Sequence, residues 1–83
     1  MTIVEMYVSD YCPYCTSAKR LLDSKNIDYK VIDVNISPEI KQEMIERSGQ
    51  RTVPQIFINN KSIGGCDDLY ALNDAEKLDK LLI

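Results

Sequence analysis

The chain has 83 residues, with 10 lysines and arginines against 13 aspartates and glutamates, for a formal charge of −3. That length suits one domain, residues 1–83, with a thin core, and the acidic balance argues against nucleic acid as a partner. An ordinary globular composition, no apolar run long enough to span a membrane and no basic-then-apolar start of a secretory signal point to a reducing cytoplasm, where structural disulfides are rare.

The first element in chain order is "TIVEMYV", rich in β-branched and aromatic residues, which predicts a buried strand over Thr2–Val8. Ser9-Asp10-Tyr11 follows as a loop. Pro13 stands where a helix takes its first residue, and Ala18, Leu21 and Leu22 recur at helical spacing. That helix should end near Asn26, a residue that tolerates the left-handed conformation. "YKVIDV" predicts a strand over Tyr29–Val34. Ser37-Pro38 then reads as the N-cap and first residue of a second helix, with Ile40, Met44 and Ile45 turned inward and Gly49 ending it. "VPQIFI", the turn Asn59-Asn60 and "KSIG" read as an antiparallel hairpin. After Gly64-Gly65, a last helical region carries Leu69, Leu72, Leu78 and Leu82, with a break expected at Asn73-Asp74.

Strand–helix–strand–helix–strand–strand–helix is an α/β order. A parallel βαβ half and an antiparallel ββα half give one mixed four-stranded sheet flanked by helices. Functional sites of open α/β sheets lie beyond the carboxyl ends of the strands. "CPYC" falls at such a point, between the first strand and the first helix.

There are three cysteines, Cys12, Cys15 and Cys66, and no histidine. The odd count argues against a disulfide framework. The missing histidine removes Cys–His nucleophilic pairs and His-containing zinc sites, and Cys66 alone cannot complete a four-cysteine zinc site, so no metal is expected. A reactive thiol must therefore be activated by the backbone. With Pro13 as first helical residue, Cys12 is the N-cap, and its sulfur can accept from the amides of Tyr14 and Cys15 while the helix end adds partial positive charge. Such settings lower a cysteine pKa from about 8.5 to roughly 3.5–7.5. Cys15, one turn in on the face of Ala18 and Leu22, should be buried and mostly protonated. A cytosolic C-x-x-C within a βαβ pattern favours redox chemistry over a structural pair.

Two further features flank the pair. Pro54 is either a plain strand start or a cis-proline that turns the backbone of Val53 toward the cysteines, where a peptide-like thiol could pair as an added strand. In "GGCDDL", Asp67 and Asp68 begin a helix. They can serve as caps, and they could also hold an ammonium group beside a helix end suited to anions. Cys66 reads as a small hydrophobic residue before that helix.

With "CPYC", "TVPQIFI" and "IGGCDDL" in this order, the chain resembles the glutaredoxin family over nearly its whole length, in particular the short bacterial dithiol members of the glutaredoxin 3 type. The resemblance implies a thioredoxin-like fold, glutathione as cosubstrate, and thiol–disulfide exchange on glutathionylated proteins and protein disulfides, ribonucleotide reductase being one such substrate in the family. By position, Cys12 would be the nucleophile and Cys15 the resolving thiol. Tyr14, Thr52, Val53, Asp67 and Asp68 would line the glutathione groove, with Pro54 in cis, and Lys41 would lie toward the glycine carboxylate. A soluble monomer without membrane or nucleic-acid contacts is expected. Many members carry a lysine three residues before the first cysteine; Ser9 stands there in this chain. The alternative within the family is an iron–sulfur or metal-carrying module held by Cys12 and glutathione, but such members commonly lack a proline after the first cysteine. A thioredoxin proper is disfavoured by the absence of tryptophan and by "GGCDDL".

Overall fold

The computed structural model describes residues 2–82. In chain order its elements are β1 (Val4–Val8), α1 (Pro13–Ser24), β2 (Lys30–Asp33), α2 (Pro38–Ser48), β3 (Gln55–Ile58), β4 (Lys61–Gly64), α3 (Cys66–Asp74) and α4 (Leu78–Leu82). The strands form one four-stranded sheet in the order β2-β1-β3-β4. β1 runs parallel to β2, pairing Met6 with Val31, and antiparallel to β3, pairing Met6 with Ile56. β3 and β4 form the hairpin, with a bulge between Ile56 and Phe57. The expected mixed sheet is present, with β1 and β3 as its inner strands.

Alternation along those inner strands divides the core into two layers. Val4, Met6 and Val8 of β1 and Ile56 and Ile58 of β3 face α1, α3 and α4, where they meet Ala18, Leu22, Leu69, Leu78 and Leu82. Tyr7 and Phe57 point the other way and meet Met44 of α2 and Val34. This is the period-2 reversal of side chains expected of a sheet covered on both faces.

Most differences from the sequence expectations are at element ends. β1 begins at Val4 rather than Thr2: the Ile3 N–H donates to Asn59 Oδ1 (2.9 Å), and the Ile3 side chain is exposed. α1 ends at Ser24 instead of Asn26, although Asn26 does take the left-handed conformation (φ 57°), and the Ile27 N–H closes back on the Leu22 carbonyl (3.3 Å). β2 is shorter than Tyr29–Val34 by one residue at each end. β3 starts at Gln55 rather than Val53, because Pro54 has no N–H to give the ladder and follows a cis peptide. The break in the last helical region falls at Ala75–Lys77, just past Asn73-Asp74, where Glu76 adopts φ 60°. Ser37 caps α2 through its hydroxyl, which accepts from the Ile40 N–H (3.4 Å), and Gly49 ends it at φ 72° as expected.

Arg47 ties α2 to the sheet. Its guanidinium donates to Glu5 Oε1 (3.0 Å) and to the Tyr7 hydroxyl (2.9 Å), and lies 4.0 Å from the Phe57 ring centroid. The carboxylate of Glu5 holds the guanidinium pKa above its usual value. Charge-assisted hydrogen bonds and a partly desolvated cation–π contact are each worth more than an exposed ion pair. Arg47→Met keeps the apolar stem and removes the charge, and it should lower the unfolding free energy by about 2 kcal/mol. Urea denaturation checks this; a midpoint unchanged from wild type would show that the pairing does not hold α2.

Candidate active site

β1 delivers the chain to Tyr11 and Cys12 at its carboxyl end. Tyr11 takes φ 53°, a turn that sets Cys12 in extended conformation immediately ahead of Pro13. Cys12 is thereby the N-cap of α1, and Pro13 occupies a first-turn position where a missing N–H costs no hydrogen bond. Of the two amides expected to reach its sulfur, the Cys15 N–H does so, donating to Cys12 Sγ at 3.1 Å. The Cys12 carbonyl accepts from the Thr16 N–H (3.2 Å), the first hydrogen bond of the helix.

Cys15 lies on the inner face of α1 and is 3 % exposed, within the cluster that holds Ala18 and Leu22. Cys12 is only partly buried. The two Cα atoms are 5.2 Å apart with the sulfurs at disulfide-bonding distance. The pair can therefore close and open by rotating side chains, with no need to move the backbone.

The Val53–Pro54 peptide is cis, and the Val53 carbonyl lies 3.9 Å from Cys12 Sγ. The backbone ahead of Pro54 thus faces the cysteines, as the sharper of the two sequence readings required. A groove of about 340 Å³ opens at this point, lined by Tyr14 from α1, by Gln50, Thr52, Val53 and Pro54 from the segment before β3, and by Gly65, Cys66, Asp67 and Asp68 from the start of α3. Five of the expected residues, Tyr14, Thr52, Val53, Asp67 and Asp68, line one groove together with Pro54. Lys41 does not line it; it is exposed on α2. Gln50 and Gly65 line it as well; Gly65 lies within "GGCDDL", whereas Gln50 carries no motif that would have announced it.

The acidic wall is shaped by a glycine. Gly64 adopts φ 110°, and a Cβ there would run into the Asp68 carboxylate. The bare backbone lets Asp68 fold back, so that its Oδ2 accepts from the Gly65 N–H at 3.0 Å and caps α3. Asp67 remains exposed. Capping and a polar wall are therefore combined in one pair of carboxylates. Ser9 lies in a second hollow beside Cys12, Cys15 and Lys19, and its hydroxyl accepts from Asn35 Nδ2 (3.1 Å).

A cysteine pair at the amino end of the first helix, facing a cis-proline across the carboxyl end of a mixed sheet, defines a thiol–disulfide oxidoreductase of thioredoxin-like fold. The glutaredoxin family model matches residues 4–63. Glutaredoxin 3 of Escherichia coli (strain K12) is 50 % identical over 82 residues, 99 % of each chain. Among solved structures, the glutaredoxin of Brucella melitensis superposes with a TM-score of 0.87 at 52 % identity, over 99 % of this chain and 89 % of that one. A buckwheat glutaredoxin–glutathione complex superposes with a TM-score of 0.90 at 32 % identity, over 98 % of this chain and 76 % of the other. The chain belongs to the glutaredoxin family.

Cys66 is also on the groove but has a different environment. It is 8 % exposed and packs into the core cluster with Leu69. Burial pushes its thiol pKa up, and the neighbouring Asp67 carboxylate adds to the rise. Raised means protonated at neutral pH, so the nucleophilic thiolate is scarce until the solution is well into the alkaline range. In the reduced protein, alkylation of Cys66 by iodoacetamide should be far slower than that of Cys12 at pH 7, and should still be climbing at a pH where ordinary thiols have levelled off. Mass mapping of labelled peptides over a pH series measures this; Cys66 labelling at the rate of Cys12 would contradict it.

Proposed function

We propose that this chain is a cytoplasmic, single-domain, glutathione-dependent reductase of glutathione mixed disulfides and protein disulfides, with Cys12 as nucleophile and Cys15 as resolving thiol. The observation that carries the assignment is the Cys15 N–H donated to Cys12 Sγ at the start of α1, which favours the thiolate without a histidine. The groove supports glutathione as the partner. Val53 offers its backbone groups, turned toward the cysteines ahead of Pro54, for a cysteinyl residue, and Asp67 and Asp68 offer carboxylates for the γ-glutamyl ammonium. The buckwheat homologue was solved as a glutathione complex, in keeping with this reading.

On a glutathionylated protein, the Cys12 thiolate attacks the glutathionyl sulfur. The substrate leaves as a thiolate and takes up a proton, and glutathione is now disulfide-bonded to Cys12. A second glutathione thiolate attacks that glutathionyl sulfur, which forms oxidised glutathione and restores the Cys12 thiolate. On a protein disulfide, Cys12 forms the mixed disulfide with the substrate. Cys15 then loses its proton and attacks Cys12 Sγ, releasing the substrate as a dithiol and leaving the Cys12–Cys15 disulfide. Two glutathiones reduce that disulfide in turn. The 5.2 Å Cα separation lets Cys15 reach Cys12 within the first turn. Ribonucleotide reductase belongs to the second substrate type.

An assay coupling glutathione, glutathione reductase and a small mixed disulfide tests the assignment. Cys12→Ser should bring turnover to background. Cys15→Ser should keep activity on glutathionylated substrates, because free glutathione resolves the intermediate, and lose activity on intramolecular protein disulfides. Near-normal turnover by Cys12→Ser, or equal losses on both substrate types in Cys15→Ser, would reject the division of roles.

A further inference from the structure

Gln55 is the one buried polar residue of the core among the described residues, with 0 % exposure. It opens β3 directly after the cis-proline, and it is not itself among the residues that line the groove. Its Nε2 donates to the Thr52 carbonyl (3.0 Å), to Thr52 Oγ1 (3.3 Å) and to Gln50 Oε1 (3.3 Å). A carbonyl can only accept, so the contact with Thr52 O fixes which end of the Gln55 amide is the nitrogen. Its Oε1 is buried with no partner among the described residues. A buried acceptor left unpaired is costly, and an apolar side chain of the same length would avoid the cost. The nitrogen end alone accounts for an amide at this position.

The nitrogen end controls the polarity of the groove wall. Thr52 Oγ1 accepts from Gln55, which leaves the hydroxyl hydrogen of Thr52 free to donate elsewhere. Gln50 accepts through its Oε1, which leaves the side-chain NH2 of Gln50 as a donor. Both residues line the groove, as do Asp67 and Asp68. The segment before β3 therefore presents donors to the groove and the start of α3 presents acceptors. Glutathione is complementary to that arrangement, since it carries carboxylates as well as an ammonium group.

We infer that Gln55 is a positioning residue for glutathione: without lining the groove it orients the Thr52 hydroxyl and the Gln50 amide as donors to a ligand carboxylate. This rests on glutathione being the occupant of the groove. Gln55 touches neither the ligand nor the reacting sulfurs, so it acts on binding and leaves the chemistry of Cys12 alone.

The test is steady-state kinetics on a glutathione mixed disulfide for wild type, Gln55→Met, Thr52→Val and the double variant. Gln55→Met should raise KM about three- to tenfold, the weight of one neutral hydrogen bond, with kcat within about twofold. Thr52→Val should act likewise, and the double variant's KM effect should fall well short of the product of the two singles, because both substitutions disturb the same Gln55–Thr52 hydrogen bond while the Gln50 contact is lost in only one of them. A fall in kcat at constant KM, or KM effects that multiply, would overturn the inference. Should Gln55→Met lack a cooperative thermal transition, the side-chain amide signals of Gln50 and Gln55 in Cys15→Ser decide by NMR. They should shift when Cys12 is glutathionylated, and unmoved signals overturn the inference. A wild type with no turnover of glutathione mixed disulfides would instead overturn the functional reading itself.

Discussion

The hydrogen bond from the Cys15 N–H to Cys12 Sγ, 3.1 Å long, is the contact on which the proposed chemistry of this molecule depends. In the function proposed above, one residue has two duties: Cys12 is both the cap that begins α1 and the thiol that reacts. The cap position needs extended backbone at Cys12, a helix starting at Pro13 and a turn at Tyr11 with positive φ, and all three are present. Each is set by neighbours in the sequence. The register of β1 against β2 and β3 then places this helix end at the carboxyl edge of the sheet. There the segment ahead of β3 can meet it, and the Val53 carbonyl lies 3.9 Å from the same sulfur.

Much of this was legible because the signals are local. A proline one residue after a cysteine, following a β-branched run, marks both a helix start and its cap. Ser37-Pro38 and Gly49 mark α2 in the same way, and the structure places its N-cap and C-cap there. What was not legible depends on contacts distant in sequence. The start of β1 is trimmed by Asn59, which engages both polar backbone groups of Ile3 from across the sheet. Nothing in the sequence pattern singles out Arg47, which reaches Glu5 and Tyr7 on another element. Gln50 carried no motif, since its place on the groove depends on where Gly49 ends α2 and where β3 begins. Gln55 looked like an ordinary strand residue, and only the fold shows its amide turned back on its own preceding loop.

The groove is held by contacts that lie outside it. The Tyr70 hydroxyl donates to the Ser17 carbonyl (2.9 Å), which fixes α3 against α1 and so fixes the distance between the acidic wall and the cysteine pair. Gly64 allows Asp68 to cap α3 from within that wall. A side chain at Gly64 would disturb both the helix start and the carboxylate, so capping and the shape of the groove are coupled through one backbone position.

Cys12 and Cys66 show how finely position within a first helical turn decides reactivity. Both stand at the amino end of a helix; Cys66 lines the groove, and Cys12 lies beside it with its sulfur 3.9 Å from the Val53 carbonyl. Cys12 is the N-cap, so its side chain points back over the free amides and one of them reaches the sulfur. Cys66 is one position further on, the first residue of α3, where the cap is Gly65 and the amide of Gly65 is already taken by Asp68. Its side chain turns into the core beside Leu69, and burial together with the Asp67 carboxylate holds its proton on. The helix end supplies partial positive charge in both cases. In the proposed reading, what separates the nucleophile from the packing residue is whether the sulfur receives an amide or loses its water, and the two cysteines differ by one position relative to their helix starts.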